Sequence, residues 1–433
     1  MPVSTGKLDL DSITSGSIGR GAKGLPPDAA GLPASACAAR GYNVLADEVP
    51  LPVCVLSEEA VSHNRSVMRE FTARMGVKLA PHGKTTMAPQ LMQEQLNDGA
   101  WAITAATPAH LFAYRSVRIP RILYANQLVD RVAIAYVLDE LARDEHFEFI
   151  CLVDSVATVD ILSRAVSSRK LSRPLDVLIE LGIPGGRAGV RRVEEALSLA
   201  RYLRQSAPFL RLRGLEAFEG IVGAPSNEAT RQVENLLKNL IETLELLNEE
   251  KLFIVSTPII SVGGSSYFGM VAERLCSSSL AAEIILRSGC YLVNDHGMYA
   301  HAQQCETERG QLTLSAPFQP ALEVWAHVQS RPEPGLAILA VGKRDISHDM
   351  EMPIPIKWAR RGTRTAEKLG TDCKIASLND QHARLLLPEQ HPLAVGDRVG
   401  LGCSHPCTTF DKWKYIYRVD DRYTVTDLIT TMF

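Results

Sequence analysis

The stretch reading LDVLIEL (residues 175–181), LRGLEAF (212–218) and NEATRQVENLLKNLIETLELLNE (227–249) sets two periodicities side by side. The first two runs are short and β-rich. In the third, Val233, Leu236, Leu237, Leu240, Leu244 and Leu247 recur at spacings of one, three and four residues, so one helical face is apolar. Short β-rich runs alternating with longer amphipathic segments are the mark of parallel βα units.

The same alternation extends in both directions. After a run at Leu51–Leu56 and a helical segment come Lys78–Pro81, Trp101–Ala106, Arg121–Ala125 and Phe147–Val153, and beyond the opening stretch come Ile259–Val262 and Ala282–Leu286. With Leu175–Leu181 and Leu212–Phe218 these make eight strands. Eight parallel strands with intervening helices predict a (β/α)8 TIM-type barrel, whose chemistry sits at the C-terminal ends of the strands; an open doubly wound sheet is the alternative. After about residue 320 the texture changes to close-spaced extended runs with Gly and Pro punctuation: Leu322–Val328, Ala337–Val341, Ile354–Trp358, Lys374–Ser377, Arg384–Leu387, Arg398–Leu401 and Tyr415–Val419. These predict a small antiparallel β domain. The expected organisation is an N-terminal segment, 1–47, partly flexible and joining the β domain; a barrel, 48–320; and a C-terminal β domain, 321–433.

Length and composition narrow the function. A chain of 433 residues with 46% hydrophobic content can build a large core. A net charge of -3 supplies no basic surface for nucleic acid. The apolar runs Ala281–Leu286 and Leu336–Val341 are far shorter than the roughly 20 residues that span a bilayer. Nine cysteines at irregular spacing fit a reducing compartment, and residues 1–31 lack the apolar run of a secretory signal, so a cytoplasmic protein with a small-molecule substrate is expected.

Three motifs can carry chemistry. Pro81-His82-Gly83-Lys84-Thr85-Thr86 ends the first barrel strand, so Lys84 faces the barrel mouth, where partial desolvation turns a primary amine into a nucleophile. Ser261-Val262-Gly263-Gly264-Ser265-Ser266 ends the seventh strand ahead of a helix, a setting in which backbone amides approach an anion. In Cys403-Ser404-His405-Pro406-Cys407, read as extended, His405 and Cys407 point the same way and can present nitrogen and sulfur to one metal ion, with Cys403 as a possible third ligand.

The first motif resembles the cofactor-lysine motif of fold-type III pyridoxal-phosphate enzymes, above all the D-serine deaminase (dehydratase) family and the related D-threonine aldolases and alanine racemases. The likeness runs over residues 45–430. It implies pyridoxal 5'-phosphate on Lys84, with its phosphate at Gly263, Gly264 and Ser265 and Arg187 at the phenolic oxygen. Gly289 and Tyr291 match a family stretch near phosphate and ring, and Asp295 lies in the same stretch. His82 is expected to support rather than catalyse. The partner of the ring nitrogen is expected in the run Gly214-Leu215-Glu216-Ala217-Phe218-Glu219-Gly220 after the sixth strand, but it stays open because Phe218 stands where relatives often have a polar ring. The resemblance further implies Zn2+ on His405 and Cys407, where the aldolases tend to show His-x-Asp, and a head-to-tail homodimer. The implied activity is removal of water from D-serine or another D-3-hydroxy amino acid to give a keto acid and ammonia. A D-3-hydroxy-amino-acid aldolase, a hydroxyaspartate dehydratase and an amino-acid racemase use similar parts and stay open; a non-catalytic pyridoxal-phosphate carrier would generally lack the β domain.

Overall fold

The computed structural model describes residues 7–169, 171–223 and 226–433. Strand β1 (Val53–Ser57) is followed by eight parallel strands: β2 (Lys78–Leu79), β3 (Ile103–Ala105), β4 (Arg121–Gln127), β5 (Glu148–Val153), β6 (Leu175–Leu181), β7 (Leu210–Ala217), β8 (Ile259–Ser261) and β9 (Glu283–Leu286). They form one sheet in the order β2-β9-β8-β7-β6-β5-β4-β3, and a parallel bridge from His82 to Thr104 joins its two ends. The sheet is thus a closed barrel, not a doubly wound sheet, and all eight expected strands are in it.

Alternation along each strand builds two cores. Ile150 and Leu152 point into a small cluster with Ala80, Ala102, Leu123, Leu178, Ile259 and Ile285. Their strand neighbours Phe149, Cys151 and Val153 join the large outer core under the helices. Around the barrel, helix Glu58–Met75 is capped by Ser57, whose side chain accepts from Ala60 N at 3.2 Å, and helix Asn227–Glu249 by Ser226, which accepts from Ala229 N at 3.1 Å. Such caps contribute about 1 kcal/mol each.

The β domain adds β10 (Leu322–Glu333), β11 (Leu336–Leu339), β12 (Ile354–Ala359), β13 (Glu367–Lys368), β14 (Lys374–Leu378), β15 (Ala383–Leu386), β16 (Arg398–Gly402), β17 (Tyr415–Val419) and β18 (Val425–Thr430). Its main path is β13-β12-β16-β10-β1-β17-β18. The run at Leu51–Leu56 therefore belongs to this sheet: β1 pairs antiparallel with β10 and parallel with β17. Strands β13 and β18 were not legible, the first being two exposed charged residues and the second being interrupted by Thr426 and Asp427. From residue 7 the N-terminal segment has local structure, including helices Asp11–Thr14 and Ala34–Ala38, and Ile18, Leu25, Val44 and Leu45 pack with Trp325 and Tyr417 of the β domain. The first six residues of the stretch expected to be partly flexible lie outside the described residues. Among the described residues no helix is long and apolar enough to cross a membrane.

Candidate active site

The seam that closes the barrel also sets the lysine. Past the His82 bridge the chain makes a single 3-10 turn, Gly83–Thr85, and Lys84 projects from it with buried Gly83 and Thr85 on either side. Gly83 is required by packing: a Cβ there would stand 2.5 Å from Tyr114 Oη and 2.9 Å from Ile103 Cγ2.

Lys84 opens onto a cavity of about 220 Å³ whose wall also includes His82, Arg187, Glu216, Phe218, Gly264, Ser265, Arg287, Gly289, Cys290, Tyr299, His405 and Cys407. Of the residues expected from sequence, Lys84, Arg187, Gly264, Ser265, Gly289, His405 and Cys407 thus share one space. Gly263 and Tyr291 do not line it. Tyr291 opens onto a smaller neighbouring cavity beside Phe318, and its buried hydroxyl receives a hydrogen bond from Gln95 Nε2 at 3.2 Å.

The glycine loop is tightly built. Gly263 has φ of 96°, a left-handed conformation, and a Cβ there would lie 2.7 Å from Leu286 Cδ2. A Cβ on Gly264 would press on Phe218 and on Glu219 Oε1 at 3.0 and 3.1 Å. The two amides are already engaged: Gly263 N donates to Glu219 Oε2 at 3.2 Å and Gly264 N to Oε1 at 2.5 Å. On the eighth-strand side Ser265 Oγ accepts from Cys290 N at 3.2 Å. Arg187 stacks its guanidinium over Phe218, 4.8 Å from the ring centre.

His405 and Cys407 reach the cavity by a route other than the extended one expected. His405 has φ of 75°, Pro406 is helical, and Cys407 starts the short helix Cys407–Phe410. A turn, not strand alternation, therefore aims the two side chains. The turn is held by Asp295, whose Oδ2 accepts from His405 N at 2.9 Å while Oδ1 accepts from the amides of Gly297, Tyr299 and Ala300. Asp295 thus anchors the His405 backbone and the start of helix Met298–Glu308. His405 Nδ1 meets Asp349 Oδ2 at 2.5 Å, and Thr408 donates to the other carboxylate oxygen at 2.8 Å. Burial works against the Asp349 charge, but these bonds hold its carboxyl below the usual range. Cys407 Sγ lies 3.6 Å from Cys290 Sγ, and the contact lowers the Cys290 thiol while raising that of Cys407, because one proton held between them serves both. Cys403, offered as a third ligand, is instead buried in the core and does not line the cavity; burial pushes its thiol up to about 12.

Sequence reading missed Arg287, Cys290, Tyr299 and Asp349, and held Glu216 only as one member of the run after the sixth strand. Arg287 had a signal, a charged residue directly after the eighth strand, and Cys290 follows Gly289 in the same run. Asp349 had none, since it lies in a loop 56 positions from the His405 it meets.

Three carboxyls near the barrel mouth resist ionisation. Burial raises Glu219, and pushes Glu216 and Glu306 up to about 8 each. For Glu306 the amide of Met270 opposes that rise and Glu219 adds to it. A folded pKa above the unfolded value of ~4.3 stabilises fully below that value, and the contribution is lost as pH rises through about 8. Thermal stability should therefore fall from about pH 5 to 8, this group adding a slope of up to ~1.4 kcal/mol per pH unit. Paired melts of Glu306→Gln should show a flatter profile over that window; an unchanged slope would refute the assignment.

Comparison with known proteins places the chain. Residues 321–419 match the family model described as a putative serine dehydratase domain. D-threonine aldolase of Arthrobacter sp is 26% identical over 312 residues, covering 70% of this chain and 75% of that protein. Among solved structures, D-threonine aldolase from Filomicrobium marinum superposes with a TM-score of 0.72 at 21% identity, covering 90% of this chain and 96% of the other. D-threo-3-hydroxyaspartate dehydratase from Delftia sp. HT23 gives 0.72 at 20%, covering 90% and 99%. The architecture is that of alanine racemase-like proteins: a TIM-type barrel with an appended β domain. Within that class the resemblance read from the first motif, to serine dehydratases and D-threonine aldolases, is borne out.

Proposed function

We propose that the protein is a pyridoxal-phosphate enzyme that removes water from a D-3-hydroxy amino acid, D-serine being the first candidate, releasing a keto acid and ammonia. One observation carries this reading: Lys84 shares a single cavity with Arg187 and the Gly264–Ser265 loop, and with His405 and Cys407. The cavity suits the cofactor chemically. It offers a primary amine, a serine hydroxyl at the glycine loop, and a guanidinium fixed against an aromatic ring. When bound there, pyridoxal phosphate supplies the electron sink for loss of the Cα proton.

The chain's own groups do the rest. Lys84 Nζ, once the substrate amine has taken its place, is the base that accepts the Cα proton. With the cofactor bound, Arg187 would stabilise negative charge on the phenolic oxygen and the Ser265 hydroxyl would be the loop's donor to the phosphate, since the Gly263 and Gly264 amides are turned to Glu219. The donor set beside the lysine suits a metal: with Nδ1 of His405 held by Asp349, Nε2 is left to ligate, and Cys407 adds a soft sulfur. Among the described residues no three His, Cys, Asp or Glu converge on one metal position, so an ion held by His405 and Cys407 would have to take its remaining ligands from substrate and solvent. Zn2+ held there would supply Lewis-acid stabilisation of the departing β-oxygen.

Cys407, where aldolases tend to carry aspartate, favours elimination; the identity with the Arthrobacter aldolase favours carbon–carbon cleavage. The deciding experiment incubates the purified protein with D- and L-3-hydroxy amino acids, with and without a chelator. Chelator-sensitive keto acid and ammonia from the D-isomers support the proposal; an aldehyde and glycine would replace it with an aldolase, and chelator-insensitive loss of chirality with a racemase. We further propose a cytoplasmic, head-to-tail homodimer in which one chain's barrel mouth faces the β domain of its partner. Sedimentation should give twice the chain's 47.4 kDa; a fully active monomer would overturn that arrangement.

A further inference from the structure

Outside the cavity, the helix that carries Tyr299 presents a second pair of metal-binding side chains. Helix Met298–Glu308 holds its inner face to the rest of the chain at several points: Ala302 and Glu306 are buried, Glu306 Oε1 accepts from Met270 N at 3.1 Å, and Gln303 Oε1 accepts from Phe318 N at 3.0 Å. Pinned in this way, the helix keeps His301 and Cys305 on its outer side, His301 exposed and Cys305 half-buried. Neither lines the cavity that contains Lys84.

The two residues stand four apart, so on a helix their side chains are neighbours on one face. Paired zinc ligands on a helix use the same spacing in the H-E-x-x-H motif. The separation of the ligand atoms agrees. Cys305 Sγ lies 3.5 Å from His301 Nε2. An ion about 2.3 Å from sulfur and about 2.0 Å from nitrogen, with its ligands at tetrahedral corners, sets those two atoms about 3.6 Å apart. The pair therefore needs almost no movement to take an ion. Among the described residues neither side chain has another hydrogen-bond or ion-pair partner to give up.

We propose that His301 and Cys305 form a second Zn2+ site, on the outer face of this helix and independent of His405 and Cys407. As the sulfur–metal bond forms, the thiol proton leaves to solvent, while neutral imidazole donates its lone pair with no proton change. Thiolate and imidazole select zinc over magnesium or calcium, which prefer oxygen ligands. Among the described residues no third His, Cys, Asp or Glu converges on the position. Glu308, one turn further along the same face, is held by Gln304 Nε2 at 2.7 Å. Water completes the shell, so the site is weaker than a closed four-ligand one: it fills when the ion is supplied and empties on dialysis.

The test titrates Zn2+ into the purified, dialysed protein and into His301→Ala, Cys305→Ser and Cys407→Ala. Losing even an outer-shell partner of a metal ligand costs roughly 10–100-fold in affinity, so His301→Ala and Cys305→Ser should each bind one equivalent at least about tenfold more weakly than the unmutated protein. Cys407→Ala should keep that equivalent. Equal uptake by all four proteins, or loss of the equivalent in Cys407→Ala alone, overturns the proposal and leaves the thiol and imidazole as a plain hydrogen-bonded pair. A second measurement needs no variant. Zn2+ should slow alkylation of Cys305 by iodoacetamide severalfold, read on the peptide that contains it, because a metal-bound sulfur is withdrawn from attack; Mg2+ should not. The same rate with and without Zn2+ overturns the proposal.

Discussion

Lys84→Ala should abolish turnover, lowering keto-acid release by at least about 10⁴-fold, because one substitution removes both the covalent anchor and the proton acceptor. Folding should be spared. The side chain projects into open space, and its neighbours Gly83 and Thr85 keep their packing against Tyr114 and the barrel wall. Changes at such positions usually move stability by no more than about 0.5 kcal/mol. Borohydride reduction of the native protein followed by peptide mapping supplies the second readout. The label should fall on the peptide containing Lys84, and a label on any other lysine would remove the foundation of the functional reading.

Cys407→Ala should separate the metal from the cofactor. Elimination should fall by about a thousandfold or more, since stabilising a departing oxygen anion is worth several kcal/mol. Cofactor should stay on Lys84, and exchange of the substrate's α-hydrogen with solvent deuterium should persist, because proton removal depends on Lys84 and the ring. Metal analysis of the same sample should show the ion lost. If zinc were structural, the substitution would lower the melting temperature sharply, as closed sites contribute folding energy directly. Lost exchange together with a large fall in melting temperature would sink the Lewis-acid assignment.

Much of this was legible in the sequence because it is local. The eight barrel strands announce themselves by length and apolar content, and the Lys84 motif and the glycine loop each lie within six consecutive residues. What was not legible is what only the closed barrel assembles. Nothing in the sequence ties Asp349 to His405, or Cys290 to Cys407 across 117 positions. Glu216 stood in a run singled out after the sixth strand, but nothing local shows that Arg287 pairs with it 71 positions on. The His405–Cys407 turn was misread because spacing alone does not reveal that Asp295 draws the His405 backbone into a left-handed conformation.

The position of β1 constrains the order in which the molecule can be completed. Val53 pairs with Trp325 and Val55 with Tyr417, so the middle of the β domain joins a strand made before the barrel to two made after it. While the ribosome is still producing the barrel, β1 has no neighbour and presents both of its edges. A fragment ending near residue 320 would therefore carry an unpaired apolar strand and tend to associate, and a fragment beginning there would lack its central strand. Dividing the gene at the apparent domain boundary should yield two insoluble halves, whereas supplying residues 7–57 to the C-terminal half should let that sheet form.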